Sequence, residues 1–173
     1  NDVKAAIDEF DFNGFETAVF CGYGEPTYRI DEIFALVDEL KEKFGDKLPP
    51  VRINTNGHAN LINGRNVCPE LQGRIHTLSI SLNATNAADY VALCHPIQGE
   101  IAYQAMLDFA GEAKDYVPNV VFTIVDKDKT KEEIDELSYA AFNKEEMSTK
   151  AQRWTYEEIC EREYRTVLPA DCY

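Results

Sequence analysis

"FCGYGEPTYRIDEIFALVDEL", residues 20–40, sets an apolar run against two glycines, a glutamate and a proline, and an amphipathic helix follows at once. Ile30, Ile33, Phe34, Val37, Leu40 and Phe44 fall on one helical stripe, with Asp, Glu and Lys on the other. Gly45 is placed to stop that helix. Before the turn, "TAVFCG" (17–22) is too uniformly apolar for an alternating strand and reads as a short buried strand of a parallel sheet. In such sheets ligands sit at the carboxyl ends of the strands, so the "GYGEPT" turn is a candidate binding site.

Working outward, Val3, Ala6, Ile7 and Phe10 lie on one face at helical spacing, so the chain enters a helical pattern directly from Asn1. "VRIN" (51–54) is a second strand, ending in "TNG", and a mixed stretch, 59–73, holds a short helix around 69–71. "HTLSISL" (76–82) is a third strand. "NATNAADYVAL" then turns into a helix with Asn86 or Thr85 as N-cap and Asp89 near its positive end. Ala102, Met106, Phe109, Ala113 and Tyr116 mark a longer helix, and "NVVFTIV" (119–125) is a fourth strand. Strands alternating with helices in units of about 30 residues are βαβ crossovers. The expected architecture is therefore α/β, a parallel sheet with helices outside. After Asp126 the chain is dense in charge, and 127–173 reads as a helical charged tail, with Trp154 as an anchor and "RTVL" (165–168) as its one strand-like run.

The 173 residues suit one domain with a substantial core. A formal net charge of −14, from 31 acids against 17 bases, argues against a nucleic-acid partner, which would need neutralising Lys and Arg. No apolar run approaches the about 18 residues that span a membrane, and no secretory signal opens the sequence, so a cytoplasmic location is expected. Five cysteines, at 21, 68, 94, 160 and 172, have neither CxxC spacing nor an even count. That fits neither a zinc ribbon nor a disulfide framework. Cys21, in the apolar run, reads as a small buried hydrophobe.

The strand ends gather small hydrogen-bonding groups around one carboxylate: Gly22, Tyr23, Gly24, Glu25, Pro26 and Thr27; Asn54, Thr55, Asn56 and Gly57; Ser79, Ser81 and Asn83; Thr123 and Asp126. No general-base histidine or metal-ligand cluster accompanies them. His58 and His95 stand apart from carboxylates and read as loop or packing residues, and Glu132–Glu136 reads as a solvated helix face. Such a set binds a polar cofactor rather than performing chemistry itself. The turn is not a P-loop, which needs GK[ST], nor a dinucleotide GxGxxG, since Glu25 would repel a pyrophosphate. A carboxylate beside bent glycine backbone suits an ammonium group.

"GYGEPT" resembles the GGE-type motif of the radical SAM superfamily, "NTNG" the TNG at its next strand end, and "SISLNA" the strand that faces the cofactor's ribose and carboxylate. Over about residues 1–125, "FCGYGEPT", "VRINTNGHANLINGR", "SISLNA" and the "LCHP" and "YVPNVVFTIV" segments are similar to the radical SAM proteins linked to TatD-type nucleases. The resemblance implies a partial parallel (β/α) barrel that binds S-adenosylmethionine (SAM) and a 4Fe–4S cluster, and cleaves SAM reductively to a 5′-deoxyadenosyl radical. It assigns cofactor contacts to Gly22, Tyr23, Gly24, Glu25, Pro26, Asn54, Asn56, Ser81 and Asn83. It implies an electron donor such as flavodoxin or ferredoxin as partner, and association with a TatD-type nuclease.

The superfamily's CxxxCxxC cluster loop does not occur in this sequence. Thiolates hold such clusters, so the expectation is an N-terminally truncated core over 1–126, inactive by itself, with no metal ligands of its own and a tail, 127–173, that departs from the family. Two other readings remain at this point. One is a degenerate, non-catalytic scaffold binding a nucleotide-like ligand or a partner protein. The other is a barrel hydrolase, disfavoured because it needs an HxH and further ligands.

Overall fold

The computed structural model describes residues 7, 10–124 and 130–132. Four strands form one parallel sheet in the order β1-β2-β3-β4: β1 (Ala18–Phe20), β2 (Val51–Thr55), β3 (Thr77–Ser81) and β4 (Asn119–Thr123). Helices fill every connection: α1 (Ile30–Phe44), α2 (Ala59–Asn63), α3 (Cys68–Leu71), α4 (Ala87–Cys94) and α5 (Ile101–Ala113). This is the α/β alternation expected of a partial (β/α) barrel.

Parallel register puts paired residues side by side and gives the sheet two unlike faces. Ile53 aligns with Leu78 and Leu78 with Val120, while Thr55 aligns with Ile80 and Ile80 with Phe122. That face is buried in a core shared with Ile30, Phe34 and Val37 of α1, Tyr90 of α4, and Met106, Phe109 and Ala110 of α5. Each large side chain fully buried there contributes about 1.5–3 kcal/mol relative to exposure. The opposite face carries Arg52, Asn54, Thr77, Ser79, Ser81 and Thr123, so a polar surface runs to the strand ends.

Local signals place the helices. The apolar stripe of α1 is buried, Asp31 and Glu32 sit in its first turn, and Lys41 and Lys43 in its last, matching the helix dipole. Gly45, at φ 54°, ends it and donates its N–H to the Lys41 carbonyl. Asn86 is the N-cap of α4: its Oδ1 accepts from the Asp89 N–H (3.0 Å), and its Nδ2 donates to the Asp89 carboxylate (2.7 Å).

Four expectations change. β1 ends at Phe20, so Cys21 has left the sheet and is exposed rather than buried. Phe10 lies outside any helix and is 40% exposed; it packs against Phe12 and Phe15 instead of a core. Tyr116 follows the end of α5. Helix α2 was not evident in the 59–73 stretch, because Asn63 secures it through space, donating to the Thr27 carbonyl (3.0 Å). Residues 1–6, Trp154, Cys160, Cys172, Asp126 and the 165–168 run lie outside the described residues, as does most of the Glu132–Glu136 face. No helix among the described residues is long and apolar enough to cross a membrane.

Candidate functional site

The GYGEPT turn joins β1 to a 3-10 turn over Pro26–Arg29, with Pro26 opening it and Glu25 as its N-cap. Gly24 takes φ 89°, a left-handed conformation that glycine adopts without strain. Gly22, Tyr23 and Gly24 are exposed, and Tyr23 projects entirely into solvent. Their backbone is open to a ligand.

Glu25 is the centre of the site. Its Oε1 accepts from the Thr27 N–H (3.0 Å), the Thr27 hydroxyl (2.6 Å) and the Thr55 hydroxyl (2.7 Å). Its Oε2 accepts from the Asn56 N–H (2.7 Å). These four donors are uncharged, so they fix the carboxylate without cancelling its charge. They also tie the end of β1 to the end of β2. Thr27 and Thr55, both nearly fully buried, belong to the GYGEPT and TNG motifs and to the strand-end set read from the sequence, which gave them no cofactor contact of their own.

Asn56 braces its own turn: its Oδ1 accepts from the His58 N–H (2.9 Å). Gly57, at φ 80°, is forced by packing as well as by backbone, since a Cβ would lie 2.7 Å from Met106 Cγ and 2.9 Å from Ile80 Cγ2. Asn54 stands apart from the turn on the polar sheet face, where its Oδ1 accepts from Arg52 Nε (2.7 Å). Arg52 also donates from Nη2 to the Ser79 hydroxyl (3.0 Å). Asn54 and Ser79 thus orient a guanidinium that the sequence did not single out. Ser81 ends β3 on the same face, level with Thr123. Asn83 turns out of the strand at φ 55°, with its Nδ2 4.0 Å from Cys94 Sγ.

Beneath the 55–58 turn, His58 is 3% exposed and Tyr90 2%. Burial lowers the His58 pKa, partly opposed by the nearby Glu25 charge and a bond to the Ala102 backbone. Burial pushes the Tyr90 phenol up to about 12. Cys68 is likewise buried, its thiol raised to about 11 by desolvation.

Chemically, the arrangement is a fixed anionic cup on an open glycine backbone, beside a polar sheet face. An ammonium group near small donors fits it. Among the described residues no cluster of three or more His, Cys, Asp or Glu could hold a metal ion, so they do not themselves fit an iron–sulfur cluster.

No curated relative matches the chain. A family model described as the radical SAM superfamily matches residues 1–138. Members of that superfamily combine SAM with a 4Fe–4S cluster and a source of electrons, and cleave SAM in radical chemistry. With the match spanning the whole βα sheet and the turn that carries Glu25, the chain belongs to the radical SAM superfamily.

Proposed function

We propose that this chain is the SAM-binding part of a radical SAM enzyme, of the subgroup that accompanies TatD-type nucleases. The observation that carries the reading is Glu25: a half-buried carboxylate held by four uncharged donors, at the exposed Gly22–Gly24 backbone. In this reading Oε2 and the glycine carbonyls clasp the methionyl ammonium. Asn56 orients Glu25 through its backbone N–H, Ser81 and Asn83 contact the ribose or carboxylate, and Asn54 acts through Arg52 rather than by direct contact. Tyr23 and Pro26 shape the rim.

With a cluster and one electron, SAM would supply radical chemistry by breaking its S–C5′ bond and releasing methionine. The residues here bind and orient it. No CxxxCxxC occurs in the 173 residues, and the described residues offer no ligand set for the cluster. A flavodoxin or ferredoxin is the proposed electron donor, the cytoplasm the proposed location, and a TatD-type nuclease the proposed associate. A net charge of −14 disfavours bare nucleic acid as the substrate. Residues 1–126 form the core in this proposal, and 127–173 an appended tail.

Calorimetric titration with SAM tests the reading. Saturable binding, displaced by S-adenosylhomocysteine, is expected. No binding at millimolar SAM would overturn it.

A further inference from the structure

A second contact joins strand ends, and the cofactor assignment does not use it. Tyr90 in α4 and His58 after β2 are 32 residues apart, yet Tyr90 Oη lies 3.2 Å from His58 Nε2, with the rings edge to face at 5.9 Å. From His58 a chain of hydrogen bonds leads to the site: its N–H donates to Asn56 Oδ1 (2.9 Å), and the Asn56 N–H donates to Glu25 Oε2 (2.7 Å). On the other side, the hydroxyl of Tyr103 in α5, whose ring lies 5.7 Å from that of Tyr90, donates to the Thr85 carbonyl in the loop before α4 (2.7 Å).

We infer that the buried Tyr90–His58 pair is a positioning device for the site, pinning the 55–58 turn to α4 so that the Asn56 N–H stays on Glu25. Its bearing on SAM rests on the function proposed above. Two apolar rings would fill the same space without desolvating a hydroxyl and an imidazole. A buried polar pair adds little net stability but admits one arrangement, because any other leaves both groups unsatisfied. Burial lowers the His58 pKa and so favours the neutral imidazole, which pairs with the Tyr90 hydroxyl through Nε2 and also bonds the Ala102 backbone. The ionisable groups around it are Glu25 from the turn and Tyr90 from α4, with Cys94 acting on Tyr90. Glu25 braces β1 to β2, and Tyr90–His58 braces β2 to the α4 segment after β3. The carboxylate is thereby aimed before any ligand arrives, which lowers the ordering cost of binding.

Tyr90→Phe removes one hydroxyl and keeps the ring. Amide hydrogen exchange by NMR should then be about three- to tenfold faster at Asn56 relative to amides of β3, the ratio that loss of one net hydrogen bond implies. Val117→Ala is the control: Val117 is 4% exposed and precedes β4 at the far end of the sheet, so it should lower global stability without raising that ratio. SAM affinity should fall by a similar factor in Tyr90→Phe and stay unchanged in Val117→Ala. Asn56 exchange unaltered by Tyr90→Phe overturns the inference, as does unaltered SAM affinity. If the unmodified protein takes up no SAM, the proposed function fails, and the exchange ratio alone decides this inference.

Discussion

Gly57→Ala is the substitution whose cost the structure sets most sharply. Two effects combine. The residue sits at φ 80°, which side-chain-bearing residues rarely adopt, and such left-handed strain costs about 1–2 kcal/mol. The added Cβ would also lie 2.7 Å from Met106 Cγ and 2.9 Å from Ile80 Cγ2. Ile80 is β-branched and fully buried, and the Met106 atom is near its backbone, so neither retreats cheaply; overpacking of this kind costs about 1–3 kcal/mol. The sum is about 2–5 kcal/mol, a large share of the stability of a typical domain. Gly64 supplies the comparison, since it ends α2 at φ 61° with nothing within 4 Å of its Cβ position. Gly64→Ala should cost only the left-handed backbone strain, about 1–2 kcal/mol. Equilibrium urea unfolding of both variants measures the difference. Equal losses would refute the reasoning, because they would mean that α5 and β3 do not close over the TNG turn as described.

Two further outcomes follow from buried titratable groups. His58 has its folded-state pKa lowered from the ordinary 6.5 by burial, so the unfolded chain takes up the proton first. Stability should therefore fall as pH drops from about 6.5 towards the lower folded value and level off beneath it, and His58→Asn should remove that slope; pH-independent stability across this window in the unmodified protein would contradict the burial. Cys68, 0% exposed with its thiol raised to about 11, should resist iodoacetamide at mildly alkaline pH while exposed Cys21 is alkylated, as peptide mass mapping would read; labelling of Cys68 as fast as Cys21 would show that α5 does not cover it.

The alternation of strands and helices was legible because it is written in local periodicity: the Ile30–Leu40 stripe, the apolar strands, Gly45 and the Asn86 cap each act within a few residues. What was not legible acts across the chain. Helix α2 depends on Asn63 reaching Thr27, Arg52 on Ser79, and His58 on Tyr90, at separations of 36, 27 and 32 residues. Cys21 was misplaced because an apolar run does not show where its strand stops. At the site, the glycines, Glu25 and the TNG turn stood out as motifs, and Thr27 and Thr55 lie within them, yet nothing local shows that their hydroxyls share one carboxylate. Their role appears only when two strand ends meet on one carboxylate.

The central claim is that Glu25 receives the ammonium of SAM. Calorimetry of the unmodified protein and Glu25→Gln, each with SAM and with 5′-methylthioadenosine, tests it most directly, because methylthioadenosine lacks the amino-acid moiety. Glu25→Gln should weaken SAM by about 1.5–3 kcal/mol, a charged hydrogen bond's worth, and leave methylthioadenosine nearly unchanged. Equal losses for both ligands would make Glu25 a brace of the turn alone, and no loss for SAM would contradict the assignment outright.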